Sequence, residues 1–167
     1  MYFKILLSLF VAVFISACAT KPKDSAETSG TGSSADNATA ETAETAEVQG
    51  GSQEDLIVNV GDRVFFGYDS SKLDEDAQEL LQDQVAWLKQ YPDVSVTVEG
   101  HCDERGTREY NLALGEKRAQ AVKNYIIGLG VDSSRVSTIS FGKERPAVVG
   151  SNDGAWSQNR RSVTTVN

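Results

Sequence analysis

The sequence predicts an α/β sandwich, a mixed sheet with helices packed on one face, in the order β-α-β-α-β-loop-β. Three observations carry that prediction. Val94, Val96 and Val98 alternate with Ser95, Thr97 and Glu99, the period of a half-buried strand. Apolar residues recur at helical spacing on both sides of that strand. Two later runs, Val136 to Phe141 and Val163 to Val166, supply further strands.

Val64-Phe65-Phe66 makes the first short strand. Leu73 to Tyr91 reads as the first helix, with Asp74 as its cap and Glu75 and Asp76 complementing the dipole of its first turn. Its buried stripe is Ala77, Leu80, Leu81, Val85 and Leu88. The valine strand follows and leads into a loop. Thr107 can cap a second helix that stops at Gly130, with Leu112, Ala119, Val122 and Ile126 on its apolar side. Between Gly142 and Arg161, Pro146 and several Gly, Asn and Ser residues indicate mostly loop.

The domain that these elements build runs from residue 55 to residue 167. Residues 1–17 read as a processing signal: Lys4 is followed by an almost wholly apolar run, Ile5 to Ile15, too short to span a bilayer. Ile15-Ser16-Ala17-Cys18 then resembles the lipobox of bacterial lipoproteins, whose cysteine is acylated and becomes the new N-terminus; an ordinary secretory signal ending near a cysteine is the alternative. Residues 18–54 contain no aromatic residue and include Glu41-Thr42-Ala43-Glu44-Thr45-Ala46-Glu47, the composition of a disordered tether. Such a chain spans about 30–35 Å on average and about 120 Å at full stretch.

With Cys18 acylated, Cys102 is the one thiol left, so no intramolecular disulfide can form. A formal net charge of -8 argues against nucleic acid and anionic headgroups as partners.

The chemistry concentrates in Gly100-His101-Cys102-Asp103-Glu104-Arg105-Gly106-Thr107 and the helix after it. From Thr107, positions Asn111, Leu114 and Arg118 follow at one-face spacing and form a mostly polar stripe ending in a cation. Asp103 lies on the loop entering that helix. An arginine fork suits a carboxylate and an aspartate suits an ammonium, so the pair fits a small zwitterion. Backbone N–H groups at the helix start offer a second place for an anion. The same two side chains could instead form an internal ion pair. Spacing alone leaves both readings open.

Enzymatic readings fare worse. His101, Cys102, Asp103 and Glu104 are adjacent and cannot all face one point, and no second histidine exists for a zinc site. A Cys-His nucleophile pair needs partners brought together by the fold. Neither a metal nor a cofactor is expected.

Gly100 to Ala119 resembles the peptidoglycan-binding signature of OmpA-like domains. Glu99-Gly100-His101, Asp103 to Thr107, Phe66-Gly67-Tyr68-Asp69, Tyr110-Asn111, Gly142 to Pro146 and Asn159-Arg160-Arg161 narrow the likeness to the peptidoglycan-associated lipoproteins. Cys102 departs from the small residue, usually alanine, expected there, and Arg108 from a helix-opening proline. Cys102 reads as a buried filler or a reactive thiol.

The resemblance implies non-covalent binding of the peptide stem of peptidoglycan. Asp103 and Arg118 would hold its diaminopimelate end, and Tyr68, Asp69, His101, Arg105, Thr107, Asn111 and Leu114 would line the groove. Asn159 and Arg160 would be structural or ligand contacts. It further implies lipid anchoring through Cys18 in the outer membrane, a periplasmic domain, and TolB and TolA as partners in cell division. An OmpA-like lipoprotein outside the Tol system would share the ligand but not TolB.

Overall fold

The computed structural model describes residues 48–167. The lipobox and most of the tether fall outside them. In chain order the elements are α1 (Gln53–Asn59), β1 (Arg63–Phe65), α2 (Glu75–Gln90), β2 (Val96–His101), α3 (Arg108–Gly128), a 3-10 turn (Ser133–Arg135), β3 (Val136–Gly142), α4 (Asp153–Asn159) and β4 (Arg161–Val166). The strands lie in the order β1-β4-β2-β3. β2 and β3 are parallel, joined by the α3 crossover, while β4 runs antiparallel to both β1 and β2. The sheet is therefore mixed, as the sequence predicts.

Both caps form. Asp74 accepts from the Ala77 N–H, and Thr107 from the Tyr110 N–H, each closing an otherwise unpaired donor of the first turn. The core is made by Leu81, Val85 and Leu88 of α2, Ala119, Val122 and Ile126 of α3, and Val64, Val96, Val98 and Val136 of the sheet. Gln84 and Trp87 are buried beside them. Each polar group there has a partner: Gln84 donates to the Gly61 carbonyl and accepts from Thr164, and Trp87 donates to Asp55.

Three expectations need correction. α1 lies across the tether boundary: Ser52 caps it, and the Gln53 side chain donates to the Thr164 carbonyl and accepts from the Val166 N–H. Gln53 and Glu54 therefore belong to the folded unit. α4 occupies part of the segment read as loop, capped by Asn152. Both helices are seven residues long, too short to display an apolar period. Leu112, assigned to the apolar side of α3, is 49% exposed.

Gly100 and Gly115 set how closely α3 sits on β2. A Cβ on Gly100 would overlap the Gly115 carbonyl, and one on Gly115 would overlap the Ser140 hydroxyl and lie 2.9 Å from the Gly100 oxygen. At Gly100 backbone meets backbone, with no flexible side chain to yield. Gly100→Ala should therefore cost about 3 kcal/mol of stability at unchanged urea m-value. A loss below about 1 kcal/mol would contradict this close approach.

Candidate functional site

β2 ends at His101, and the chain turns through Cys102 to Gly106, which has φ +91°, before α3 begins. Asp103 organises this turn. One carboxylate oxygen accepts from the Arg105 backbone N–H and Nε, both at 3.1 Å; the other accepts from Arg105 Nη2 at 2.7 Å and Arg160 Nη1 at 3.4 Å. Burial by itself raises the Asp103 pKa, but the Arg105 bonds, aided by Arg160, hold it below the usual carboxylate value. Arg105 is clasped from both sides, its guanidinium carbon 4.2 Å from the Tyr68 ring centre and 4.0 Å from that of Trp156.

Arg118 is 0% exposed. Its Nε donates to the Ser70 carbonyl at 2.8 Å, Nη1 to the His101 carbonyl at 2.7 Å and Nη2 to the Gly67 carbonyl at 3.1 Å. A guanidinium has five N–H groups, so two remain. It makes no ion pair with Asp103, which Arg105 and Arg160 occupy instead. The internal Asp103–Arg118 pair left open by spacing does not form.

The loop that Arg118 secures carries Asp69 in the left-handed region, φ +51°. Asp69 accepts a hydrogen bond from the Tyr110 hydroxyl, which raises the pKa of that phenol. Among the described residues Asp69 has no guanidinium or ammonium partner.

These groups enclose a pocket of about 200 Å³. Of the nine groove residues expected from sequence, seven line it: Tyr68, Asp69, Asp103, Arg105, Asn111, Leu114 and Arg118. Asn111 acts mainly as a brace, its amide donating to the carbonyls of Arg105 and Thr107. Thr107 caps α3 and His101 lies elsewhere, so neither lines the pocket. Cys102, Gly106, Tyr110 and Arg160 do. Cys102 is buried, its thiol donating to the Asn111 carbonyl, and burial pushes its pKa up; it is the filler of the two alternatives. Asn159 holds the Ala147–Val148 loop through three hydrogen bonds, a structural role, whereas Arg160 reaches Asp103 and the Phe66 carbonyl. Trp156 was hidden from sequence reading because α4 was. Three guanidiniums (Arg105, Arg118, Arg160) face two carboxylates (Asp69, Asp103), leaving a positive balance.

Alternation along β2 puts His101 with Glu99 on the sheet face opposite the helices. It stacks on Phe141 with ring centres 5.5 Å apart, and its Nε2 lies 3.2 Å from the Glu99 carboxylate. Burial, then the Arg161 charge, push its pKa from 6.5 to about 4, outweighing Glu99.

Residues 65–160 match the OmpA family. A peptidoglycan-associated lipoprotein of Brucella melitensis is 46% identical over 98% of this chain and 91% of its own length. One from Agrobacterium fabrum is 56% identical over 70% of this chain and 66% of its length. The chain belongs to the OmpA family, among the peptidoglycan-associated lipoproteins. The crystal structure of the peptidoglycan-associated lipoprotein from Burkholderia pseudomallei is 40% identical and superimposes with a TM-score of 0.62, covering 64% of this chain and 90% of that one.

The buried histidine gives this family member a pH signature. Its folded pKa lies below its unfolded value, so the unfolded chain takes the proton first. Stability therefore falls as pH drops from about 6.5 towards about 4, by up to about 1.4 kcal/mol per pH unit. In denaturant titrations across that window His101→Gln should show a shallower fall than the parent. Parallel curves would exclude His101 as the source.

Proposed function

We propose that this protein binds the peptide stem of peptidoglycan non-covalently, seating the diaminopimelate end in the pocket between Asp69, Asp103 and Arg118. The observation that carries the reading is a small pocket of mixed charge whose balance is positive. At about 200 Å³ it lies below the range for whole drug-sized ligands and suits one amino-acid head group. The far end of diaminopimelate is such a head group, with ammonium and carboxylate on one carbon.

In this reading the two spare Arg118 N–H groups and the start of α3 receive the carboxylate. Asp69 and Asp103 receive the ammonium. Arg105 and Arg160 already neutralise Asp103, so Asp69 supplies the uncompensated negative charge. Tyr68 and Leu114 cover the apolar stem of the ligand. Nothing is cleaved: the chemistry is recognition by charge and shape.

The remaining parts of the proposal rest on family membership and the N-terminal sequence. Acylated Cys18 anchors the chain in the outer membrane, and the segment after it lets the periplasmic domain reach the cell wall. Bacterial lipoproteins carry three acyl chains, more than the two signals that stable anchoring requires. TolB and TolA are the proposed protein partners, in a system that keeps the outer membrane attached during division.

The decisive test is calorimetric titration of a diaminopimelate stem peptide against its lysine counterpart, which lacks the terminal carboxylate. Losing the partner of a desolvated charge costs ~2 kcal/mol or more, so the lysine form should bind roughly thirtyfold more weakly. Equal affinities would remove Arg118 as the carboxylate receptor. Asp69→Asn should weaken the diaminopimelate peptide markedly while leaving Tm unchanged, and unaltered binding would remove Asp69 from the site. Separately, Cys18→Ser should appear in the soluble periplasmic fraction. Its recovery with membranes would mean that something other than lipid holds it.

A further inference from the structure

The open edge of the sheet beside α3 has no part in the pocket. β3 is the outer strand there, with β2 on one side and no strand on the other among the described residues. Exposed strand edges are normally guarded by brevity, charge, proline or a bulge. β1, the opposite edge, is three residues long and carries Arg63. β3 is seven residues, Val-Ser-Thr-Ile-Ser-Phe-Gly, with no charge and no proline; its register slips only at its end, opposite His101.

A shallow groove runs between this edge and α3, lined by Glu109, Leu112, Ala113, Glu116, Thr138 and Ile139. Leu112, on the α3 side, is 49% exposed, and Ile139, which shares with its register partner Glu99 the face away from α3, is 42% exposed, so both faces of this edge offer apolar contact. Its rim is acidic. Glu116 accepts a hydrogen bond from the Thr138 hydroxyl, and neither Glu116 nor Glu109 has a cationic partner among the described residues.

We propose that the β3 edge is a docking site for an extended segment of another protein that alternates apolar and basic residues. Such a segment adds a fifth strand: its main chain pairs with β3, its apolar side chains pack on Ile139 on the face away from α3, and its lysines or arginines, on the other face, lay their stems over Leu112 and meet Glu109 and Glu116. A second copy of this chain is disfavoured, because pairing β3 with itself would bring two acidic rims together on a chain of net charge -8.

The test uses the isotope-labelled protein and capped peptides of about seven residues, the length of β3. An alternating lysine–valine peptide should give saturable NMR shifts at Leu112, Thr138 and Ile139, and a glutamate–valine peptide should not. Methylating alternate peptide nitrogens on the strand-pairing side should weaken binding by about tenfold or more, since several main-chain bonds are lost. The Glu109→Lys/Glu116→Lys double variant should exchange the peptide preference. Undiminished binding by the methylated peptide, shifts confined to the Asp69–Arg118 pocket, or dimerisation of the unliganded protein through β3 would each overturn the proposal.

Discussion

Much of the site depends on one buried charge. A guanidinium withdrawn from water is costly unless its donors are satisfied, and Arg118 meets that demand with backbone carbonyls instead of an acid. Two of the three, from Gly67 and Ser70, lie in the loop after β1; the third, from His101, ends β2. One side chain on α3 therefore ties together two segments far apart in sequence. The loop so held presents Asp69 to the pocket in a left-handed conformation that a non-glycine residue adopts at some cost. Because carbonyl oxygens are dipoles and not charges, the positive charge remains uncancelled. A carboxylate arriving in the pocket would find it available.

Asp103 shows the complementary arrangement. Its charge is met by Arg105 and Arg160, and Arg105 is in turn clasped between Tyr68 and Trp156. Three segments, the turn after β2, the loop after β1 and α4 with its C-cap Arg160, thus meet at one carboxylate. Substituting Asp103 would disturb the pocket wall as well as any ligand contact, whereas Asp69 is linked to the scaffold through a single phenol. The two acids are chemically alike but differ in how much structure leans on them.

Much of this was legible in the sequence, and the failures have identifiable causes. Period-two alternation located β2 and β3, and Asp74 and Thr107 marked their helices because a capping oxygen has one local job, independent of tertiary context. α1 and α4 escaped because seven residues make fewer than two full turns and show no period. His101 enters the expected groove through the family resemblance alone. Carrying the alternation two residues past Glu99 puts His101 on the opposite face. The Asp103–Arg118 question was undecidable from spacing, since the tight turn lets Arg105, two residues on, reach Asp103 first.

Leu112 and Arg118 expose the deeper limit of stripe reasoning. Both are three residues from Gly115, one before and one after. At 3.6 residues per turn they sit about 60° to either side of it. Gly115 faces the sheet because its backbone meets Gly100 and Ser140, and that contact fixes the rotation of α3. One flank then turns towards the loop after β1, where Arg118 is enclosed. The other overhangs the open edge of β3, where Leu112 is left exposed. Residue type alone suggests the reverse, leucine inside and arginine outside. The glycine contact decides otherwise, and it places a charged pocket on one side of the helix and an apolar groove on the other.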